Sequence, residues 1–181
     1  QVYVGFVVHL NYQNPHLYPY MEFQRFKHHP VLADLLKGGK RVAYGARAIS
    51  EGGWQSIPKV VFPGGALLGC SAGLVNVPRI KGSHNAVLSG MLAAEKIAAR
   101  IAAGAANDEP VEIEQSWRDS LIGQDLKKVR NVKPLWSKFG TIGGIALGGI
   151  DMWLNTIGLT LFGTMKHGKS DAQSLEPAAN H

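Results

Sequence analysis

The glycine-rich run over residues 62–86 carries the residue types best suited to chemistry in this sequence. From Ser83 onward apolar residues recur at helical spacing, so Gly82 and Ser83 lie at a predicted helix N-terminus. Free N–H groups and the helix dipole favour negative charge there. The run predicts a strand, loop and helix start that can hold an anionic group, or an ordinary buried strand-turn-helix with Ser83 as N-cap. Glycine allows sharp turns and close approach in such a loop, at Gly64, Gly65, Gly69, Gly73 and Gly82.

Other reactive side chains carry weaker signals. Adjacent helical residues point about 100° apart, so His28 and His29 predict a surface or packing role and no metal site. Cys70, at an apolar strand end, is typical of a small core residue more than of a nucleophile with His84 as its base. No Gly-Lys-Ser or Gly-Lys-Thr follows the glycines at the spacing of a phosphate-binding P-loop.

A long apolar stretch covers residues 139–165 and contains one formal charge, Asp151. A continuous helix of that length would reach roughly 40 Å, enough to cross a bilayer. Asp151 argues against a simple span, because a carboxylate at the bilayer centre costs roughly 3 kcal/mol. Basic residues flank both ends, so both ends can rest on one anionic surface: Lys127, Lys128, Arg130, Lys133, Lys138, Lys166, His167 and Lys169.

Within this stretch, Gly140, Gly144 and Gly148 recur at four-residue spacing, which favours close packing against another helix. We therefore expect a monotopic helix or helical hairpin that inserts into a membrane surface. A transmembrane helix and a glycine-rich helix buried in a larger protein are the alternatives. The residues expected to contact lipid are Trp136, Phe139, Ile150, Trp153, Leu154 and Phe162.

Composition bounds the remaining possibilities. The 181 residues, 45% of them hydrophobic, suffice for one globular core. A single cysteine excludes an internal disulfide framework. The net charge of +6 is too small and too scattered to indicate nucleic-acid binding.

Local signals predict both strands and helices. Strands are predicted over residues 2–10, 41–47, 54–57 and 59–62. Helices are predicted over 20–27 and after Pro30, with a stop at Gly38-Gly39.

Two further helices are predicted later in the chain. The helix from Ser83 places Asn85 and Ser89 on its polar side and has an apolar side formed by Val87, Met91, Ala94, Ala98 and Ile101. The second is predicted to take Asp108 as its N-cap and to bury Ile113, Trp117, Leu121 and Leu126.

Several of these segments together resemble the electron transfer flavoprotein-ubiquinone oxidoreductase family. They are the glycine-rich run, residues 38–47 and 51–59, Tyr12-Gln13-Asn14-Pro15, and residues 22–30. The likeness extends to about residue 171 and implies a middle fragment of a longer protein. The family's opening Gly-x-Gly-x-x-Gly fingerprint does not occur in this sequence. With one cysteine, the ligands of the family's four-iron four-sulfur cluster are absent from this chain.

The resemblance implies an α/β fold, more closely an α+β fragment. It would combine part of a glutathione-reductase/hydroxylase-like FAD domain and part of a ubiquinone-binding domain with a membrane-surface helical segment. The expected division gives ubiquinone binding to residues 1–60, FAD binding to 61–106 and membrane association to 107–170. Residues 171–181 are expected to form a flexible tail.

The function implied is that of an FAD enzyme that accepts electrons from electron transfer flavoprotein and reduces ubiquinone to ubiquinol. It would work as a peripheral or monotopic protein on a bacterial cytoplasmic membrane or the matrix side of the mitochondrial inner membrane. The chain alone is expected to be inactive. Alternatives are a membrane-binding module without redox activity and a flavoprotein of the geranylgeranyl-reductase type.

The resemblance also implies roles for particular residues. The helix start would point its N–H groups at the pyrimidine edge of the flavin. The residues expected to contact FAD are Gln55, Ser56, Gly69, Cys70, Ser71, Gly73, Asn76, Val77, Gly82, Ser83, His84 and Asn85. The residues expected to line the ubiquinone route are Tyr20, Phe23, Phe26 and Ile57.

Overall fold

The computed structural model describes residues 1–105 and 108–181. This part of the chain is helix-rich with one small antiparallel sheet, in which β1 (Val61–Phe62) pairs with β2 (Gly65–Ala66). Short 3₁₀ turns lie at Trp54–Ser56, Gly69–Ala72 and Ala178–Asn180. The helices are α1 (Pro19–Lys27), α2 (Pro30–Leu36), α3 (Ser83–Ala102), α4 (Glu112–Asp119), α5 (Leu121–Lys128), α6 (Val132–Thr156) and α7 (Asp171–Ser174).

The chain forms two compact units, one of Gln1–Ala46 with Gly168–His181 and the other of Arg47–His167. In the first unit, α1 and α2 confirm the predicted early helices. Proline opens both of them, and Gly38, with φ of 73°, turns the chain after α2. In the same unit the Glu176 amide donates to the Gln13 carbonyl at 2.9 Å.

The predicted strands over 2–10 and 41–47 are wrong, because neither range forms a strand in the described structure. Their β-branched and aromatic residues favour extended backbone, but a strand exists only where a neighbour supplies the hydrogen-bond ladder. The range 54–57 turns as a 3₁₀ helix after Gly53, whose φ is 82°. The range 59–62 shortens to β1.

The core of the second unit lies where α3, α4 and α5 meet the β1–β2 region. Trp117 is enclosed there beside Trp54, with ring centroids 5.6 Å apart. The predicted burial of Ile113, Trp117 and Leu126 is confirmed. The other members of this core are Val60, Val61, Ala72, Leu74, Ala93 and Ile122.

Two details of the helix predicted after Asp108 are wrong. Leu121 is 70% exposed, because Ser120 adopts extended backbone, divides the helix in two and caps α5 through its Oγ. Asp108 is no N-cap. Its carboxylate accepts from the Glu109 amide and pairs with Arg100, so α4 begins later without a side-chain cap.

The predicted start of α3 at Ser83 is confirmed, with Gly82 in the N-cap position. Its expected faces are inverted. Ser89 is buried on the supposedly polar side because its Oγ accepts from the Gly69 amide at 3.1 Å and donates to the Ala86 carbonyl at 2.9 Å. Val87 on the supposedly apolar side is 65% exposed.

The predicted domain boundary between residues 106 and 107 lies outside the described residues. The remaining division into ubiquinone-binding, FAD-binding, membrane and tail regions stays a prediction.

Candidate functional site

A short turn leads from the core into α3 and positions the start of that helix. Asn76 and Lys81 exchange two backbone hydrogen bonds of 2.9 and 3.3 Å across it. The Ile80 amide donates to the Val77 carbonyl at 2.9 Å. Ile80 takes φ of 52°, a conformation that a β-branched residue adopts only under constraint. Residues 76–81 are named the entrance turn below.

The glycines before α3 are used for packing inside the chain. A Cβ on Gly69 would lie 2.8 Å from the Ala86 Cβ, and φ there is +55°. A Cβ on Gly82 would lie 3.1 Å from a Val75 methyl group. These positions therefore allow the loop to sit directly against the first turn of α3.

A cavity of about 330 Å³ lies beside the start of α3. Asn85 lines it, is 1% exposed, and its Nδ2 has no hydrogen-bond partner among the described residues. The first N–H groups of a helix also lack intrahelical acceptors. The entrance of α3 thus combines donors that suit an anionic or carbonyl-rich ligand. The cavity's lining residues are Arg79, His84, Asn85, Leu88, Leu121, Gln124, Asp125 and Lys128.

Of the residues expected to contact FAD, the structure brings His84 and Asn85 together at this cavity. Asn76 is fully buried and its amide bonds within the chain, with Oδ1 accepting from the Arg79 amide and Nδ2 donating to Asp125. Gly69 and Gly73 are buried, Cys70, Val77 and Gly82 are half-buried, and Ser71 and Ser83 are exposed.

Gln55 and Ser56 also bond within the chain. The Gln55 Nε2 donates to the Arg130 carbonyl at 2.7 Å and to the Met165 carbonyl at 2.9 Å. The Ser56 Oγ donates to the Gly52 carbonyl at 3.2 Å. Gln55 therefore links its turn to the base of α6, and the set of FAD-contact residues stays a prediction.

The residues expected to line the ubiquinone route fall into separate places. Phe23 and Phe26 meet Phe6, at centroid distances of 6.2 and 5.3 Å. Tyr20 is exposed and lies 6.0 Å from the Tyr18 ring. Ile57 belongs to the second unit, where it packs against the core. Sequence reasoning missed Phe6, because it lies in a segment whose composition predicts a strand.

The apolar stretch folds back on itself, which overturns the continuous helix over 139–165. Helix α6 is interrupted at Gly140, whose φ of 68° and ψ of −170° are available almost only to glycine, and it ends at Thr156. A Cβ on Gly144 would collide with the Trp136 backbone, and one on Gly148 would lie 3.6 Å from Val132. Residues 132–139 and 141–156 are therefore the two arms of a helical hairpin. A hairpin is one of the two forms that the sequence predicts for this stretch.

Polar side chains close the base of this hairpin. Asp151 is 0% exposed, and its Oδ2 accepts from the amides of Asn131 and Asn155 at 3.1 and 2.9 Å. Asn131 also donates to the Gly163 carbonyl and accepts from the Met165 amide, each at 2.9 Å. The carboxylate therefore lies inside the protein rather than on an apolar outer surface.

Two of the flanking basic residues also point inward. Arg130 is 7% exposed and donates to the carbonyls of Gly163 and Lys127 and to the hydroxyls of Thr160 and Thr164. Lys133 donates to the Glu51 carbonyl at 3.0 Å. The expectation that the whole basic set lies on a surface is therefore wrong for Arg130.

The outer faces of the hairpin remain apolar and exposed. Of the six residues expected to contact lipid, Trp136, Phe139, Ile150 and Trp153 are exposed on the hairpin and Leu154 is half-buried there. The sixth, Phe162, is exposed in the segment that follows the hairpin. Sequence reasoning missed Ile142, which is 88% exposed close to the hairpin tip. Across the described residues, helices fall short of the length and apolar character that crossing a membrane requires.

The chain is similar to known proteins over nearly its whole length. Residues 1–49 match the family model described as ETF-QO, ubiquinone-binding. The chain is 48% identical, over 97% of its length, to the mitochondrial electron transfer flavoprotein-ubiquinone oxidoreductase of Rattus norvegicus. It is 49% identical, over 99% of its length, to the protein of that name, without the mitochondrial label, in Pseudomonas aeruginosa. The Caenorhabditis elegans relative is 47% identical over 96% of the chain.

These relatives are oxidoreductases by name. More particularly, the chain corresponds to a segment of the electron transfer flavoprotein-ubiquinone oxidoreductase family, which confirms the resemblance inferred from its motifs. It spans 29%, 32% and 30% of the length of the three relatives named above.

Proposed function

We propose that this chain supplies part of a flavin site and the membrane-contacting surface of an FAD oxidoreductase. In the complete protein, electrons pass from electron transfer flavoprotein to ubiquinone at a bacterial cytoplasmic or mitochondrial inner membrane. The observation that carries the proposal is the buried, unpartnered Nδ2 of Asn85 beside the cavity at the start of α3. A buried donor without a partner is costly unless a ligand accepts from it.

The residues around this donor fit the polar edge of a flavin. The edge carries carbonyl oxygens and ring nitrogens, which accept hydrogen bonds from N–H groups. Bound FAD supplies the chemistry of accepting and donating electrons. The start of α3 directs N–H groups and its positive dipole end to a place where negative charge is stabilised. The cavity volume of about 330 Å³ lies within the range of small-molecule sites.

Other parts of the cofactor need other polypeptide. The sequence has no Gly-x-Gly-x-x-Gly turn to bind a pyrophosphate. We therefore assign the phosphates and adenine of FAD to residues outside this chain. The chain walls and polarises the flavin ring, and the iron-sulfur cluster of the complete protein likewise takes its ligands from elsewhere.

A variant of Asn85 tests the flavin site in the full-length protein that contains this chain. Asn85→Ala is expected to raise the dissociation constant for FAD about 10-fold, because one buried donor is lost. Asn180→Ala, at an exposed asparagine, is the matched control. Flavin fluorescence titration of the protein stripped of cofactor measures both. A full-length protein that binds no flavin contradicts the proposal.

The membrane surface has a separate test. Trp153 is exposed on the hairpin and would bury a large indole in the interfacial region of a bilayer. Trp153→Asp is expected to lower partitioning of the full-length protein onto lipid vesicles about 10-fold or more. Tyr44→Asp changes an exposed aromatic residue outside the hairpin and is expected to leave partitioning unchanged.

The same flotation experiment separates a second candidate function. The exposed apolar residues of the hairpin are not among those that line the cavity at α3, so a membrane-binding module without redox activity is also consistent with this surface. That candidate is favoured if the full-length protein binds vesicles and does not bind FAD. Equal partitioning of Trp153→Asp and Tyr44→Asp contradicts a membrane role for the hairpin in either case.

A further inference from the structure

Asp125 of α5 joins three contacts at the cavity. Its Oδ2 accepts from the Asn76 Nδ2 at 2.8 Å, and its Oδ1 lies 3.2 Å from the Arg79 Nη1. The His84 Nε2 lies 3.5 Å from the Asp125 Oδ2. These partners belong to the beginning of the entrance turn, its middle and the first turn of α3. One carboxylate therefore connects α5 to the whole approach to the helix.

The entrance turn is a segment that needs such support. Ile80 is the one non-glycine residue with positive φ in the described chain, and its side chain is 89% exposed. Packing of that side chain therefore does not hold the strained backbone. Strained conformations persist where surrounding contacts over-determine them. The Asp125 contacts lie on both sides of Ile80, beside the two Asn76–Lys81 backbone bonds.

We propose that Asp125 is a positioning residue for the flavin, acting through Asn76, Arg79 and His84 to fix the start of α3. The inference rests on the proposed function. Its consequence is that the N–H groups at the helix start are held ready for the ligand instead of being ordered on binding. Charge-assisted hydrogen bonds are strong enough for this purpose when they are partly enclosed, as at Asp125.

The first test measures affinity in the full-length protein. Asp125→Ala is expected to raise the FAD dissociation constant about 10-fold, because it releases all three contacts. Asp125→Asn keeps the shape and an acceptor for Asn76, so an increase of about 3-fold is expected. Asp119→Asn is the matched control, since its exposed carboxylate accepts only from Gln115 in the described structure.

The second test measures the midpoint potential of the bound flavin. Asp125→Ala and Asp125→Asn both remove the negative charge, so the difference between their potentials isolates the anchoring. The Asp125→Ala flavin is expected to have the lower potential, because a loosened helix start stabilises the reduced, more negative flavin less well. A purely structural role would lower the melting temperature of both variants and leave their potentials equal.

The outcomes separate this inference from the proposed function. If the Asp125 variants have the same FAD affinities and midpoint potentials as Asp119→Asn, the positioning role of Asp125 is refuted and the proposed function is not. An unmodified full-length protein without flavin refutes the proposed function and this inference together. If Asp125→Ala does not fold, Asp125→Asn and Arg79→Gln carry the test, each with about 3-fold weaker FAD binding expected and unchanged binding overturning the role.

Discussion

The entrance of α3 and the hairpin over residues 132–156 are both rich in glycine, and both use glycine to bring backbone close to other parts of the chain. Gly69 lies against Ala86 at the entrance, and Gly144 lies against Trp136 in the hairpin. The glycines therefore do not distinguish a ligand site from a packing site. What distinguishes the two regions is the fate of their polar atoms.

Each region contains a buried side-chain atom without a partner in the described structure. At the entrance it is a donor, the Asn85 Nδ2, and the residue lines a cavity. In the hairpin it is an acceptor, the Asp151 Oδ1, whose other carboxylate oxygen is already bound by two asparagines. Under the proposed function the unpartnered donor at the entrance is used by a ligand, whereas the polar groups of the hairpin bond to one another and to neighbouring backbone.

Of the substitutions considered for the hairpin, removal of the Asn131 side chain is expected to destabilise it most. Asn131→Ala takes a donor from Asp151, leaves the Met165 amide without its acceptor and leaves the Gly163 carbonyl with Arg130 as its remaining donor. The local opening free energy of residues 141–156 is expected to fall by about 3 kcal/mol. Hydrogen exchange of the arm's amides measures it. Thr156→Ala, on the same helix but exposed, should change it little.

A matched glycine pair sharpens the packing argument. Gly144→Ala places a methyl group against the Trp136 backbone and is expected to lower the opening free energy by about 1 to 3 kcal/mol. Gly149 has open space around its Cβ position, so Gly149→Ala should raise the opening free energy by up to about 1 kcal/mol through helix propensity. Changes of the same sign, measured by amide exchange, would contradict the antiparallel packing of the arms.

The entrance turn allows a smaller test. Ile80→Gly removes the penalty for positive φ at an exposed position and is expected to stabilise the turn by about 0.5 to 1 kcal/mol. Ile80→Ala keeps most of the penalty and serves as the control. Slower exchange of the Asn76 and Lys81 amides in the glycine variant checks this result. Equal exchange in both variants would show that the turn is not strained at Ile80.

The helix ends that could be predicted from the sequence are those set by residues close to them in the chain. The prolines that open α1 and α2, Gly38 after α2 and the N-terminus of α3 all act within a few residues. The strand predicted over 2–10 is wrong because local composition does not show whether a neighbouring strand is present to pair with it. The choice of Gly140 as the break in α6 also escaped prediction, since neighbouring glycines have the same local freedom.

The candidate site shows the same division. Helical spacing from Ser83 predicts its helix start, and the family resemblance implies roles for His84 and Asn85. The burial of Asn85 was not predictable from periodicity, which placed it with polar residues such as Ser89. Ser89 is buried because it bonds to the Gly69 amide and the Ala86 carbonyl, whereas the Asn85 Nδ2 is buried without a partner among the described residues. Asp125 gave no signal, since a carboxylate within a short polar helix is typical of a solvated surface.

The closed base of the hairpin lowers the entropic penalty of docking on an apolar surface. Asn131, Asp151 and Asn155 fix the two arms through bonds that involve only the chain itself. The arms are therefore already ordered before any apolar surface is met, and the conformational entropy of ordering them is lost during folding. Docking then carries a smaller entropic penalty, so that the exposed apolar side chains contribute more of their transfer free energy to the affinity.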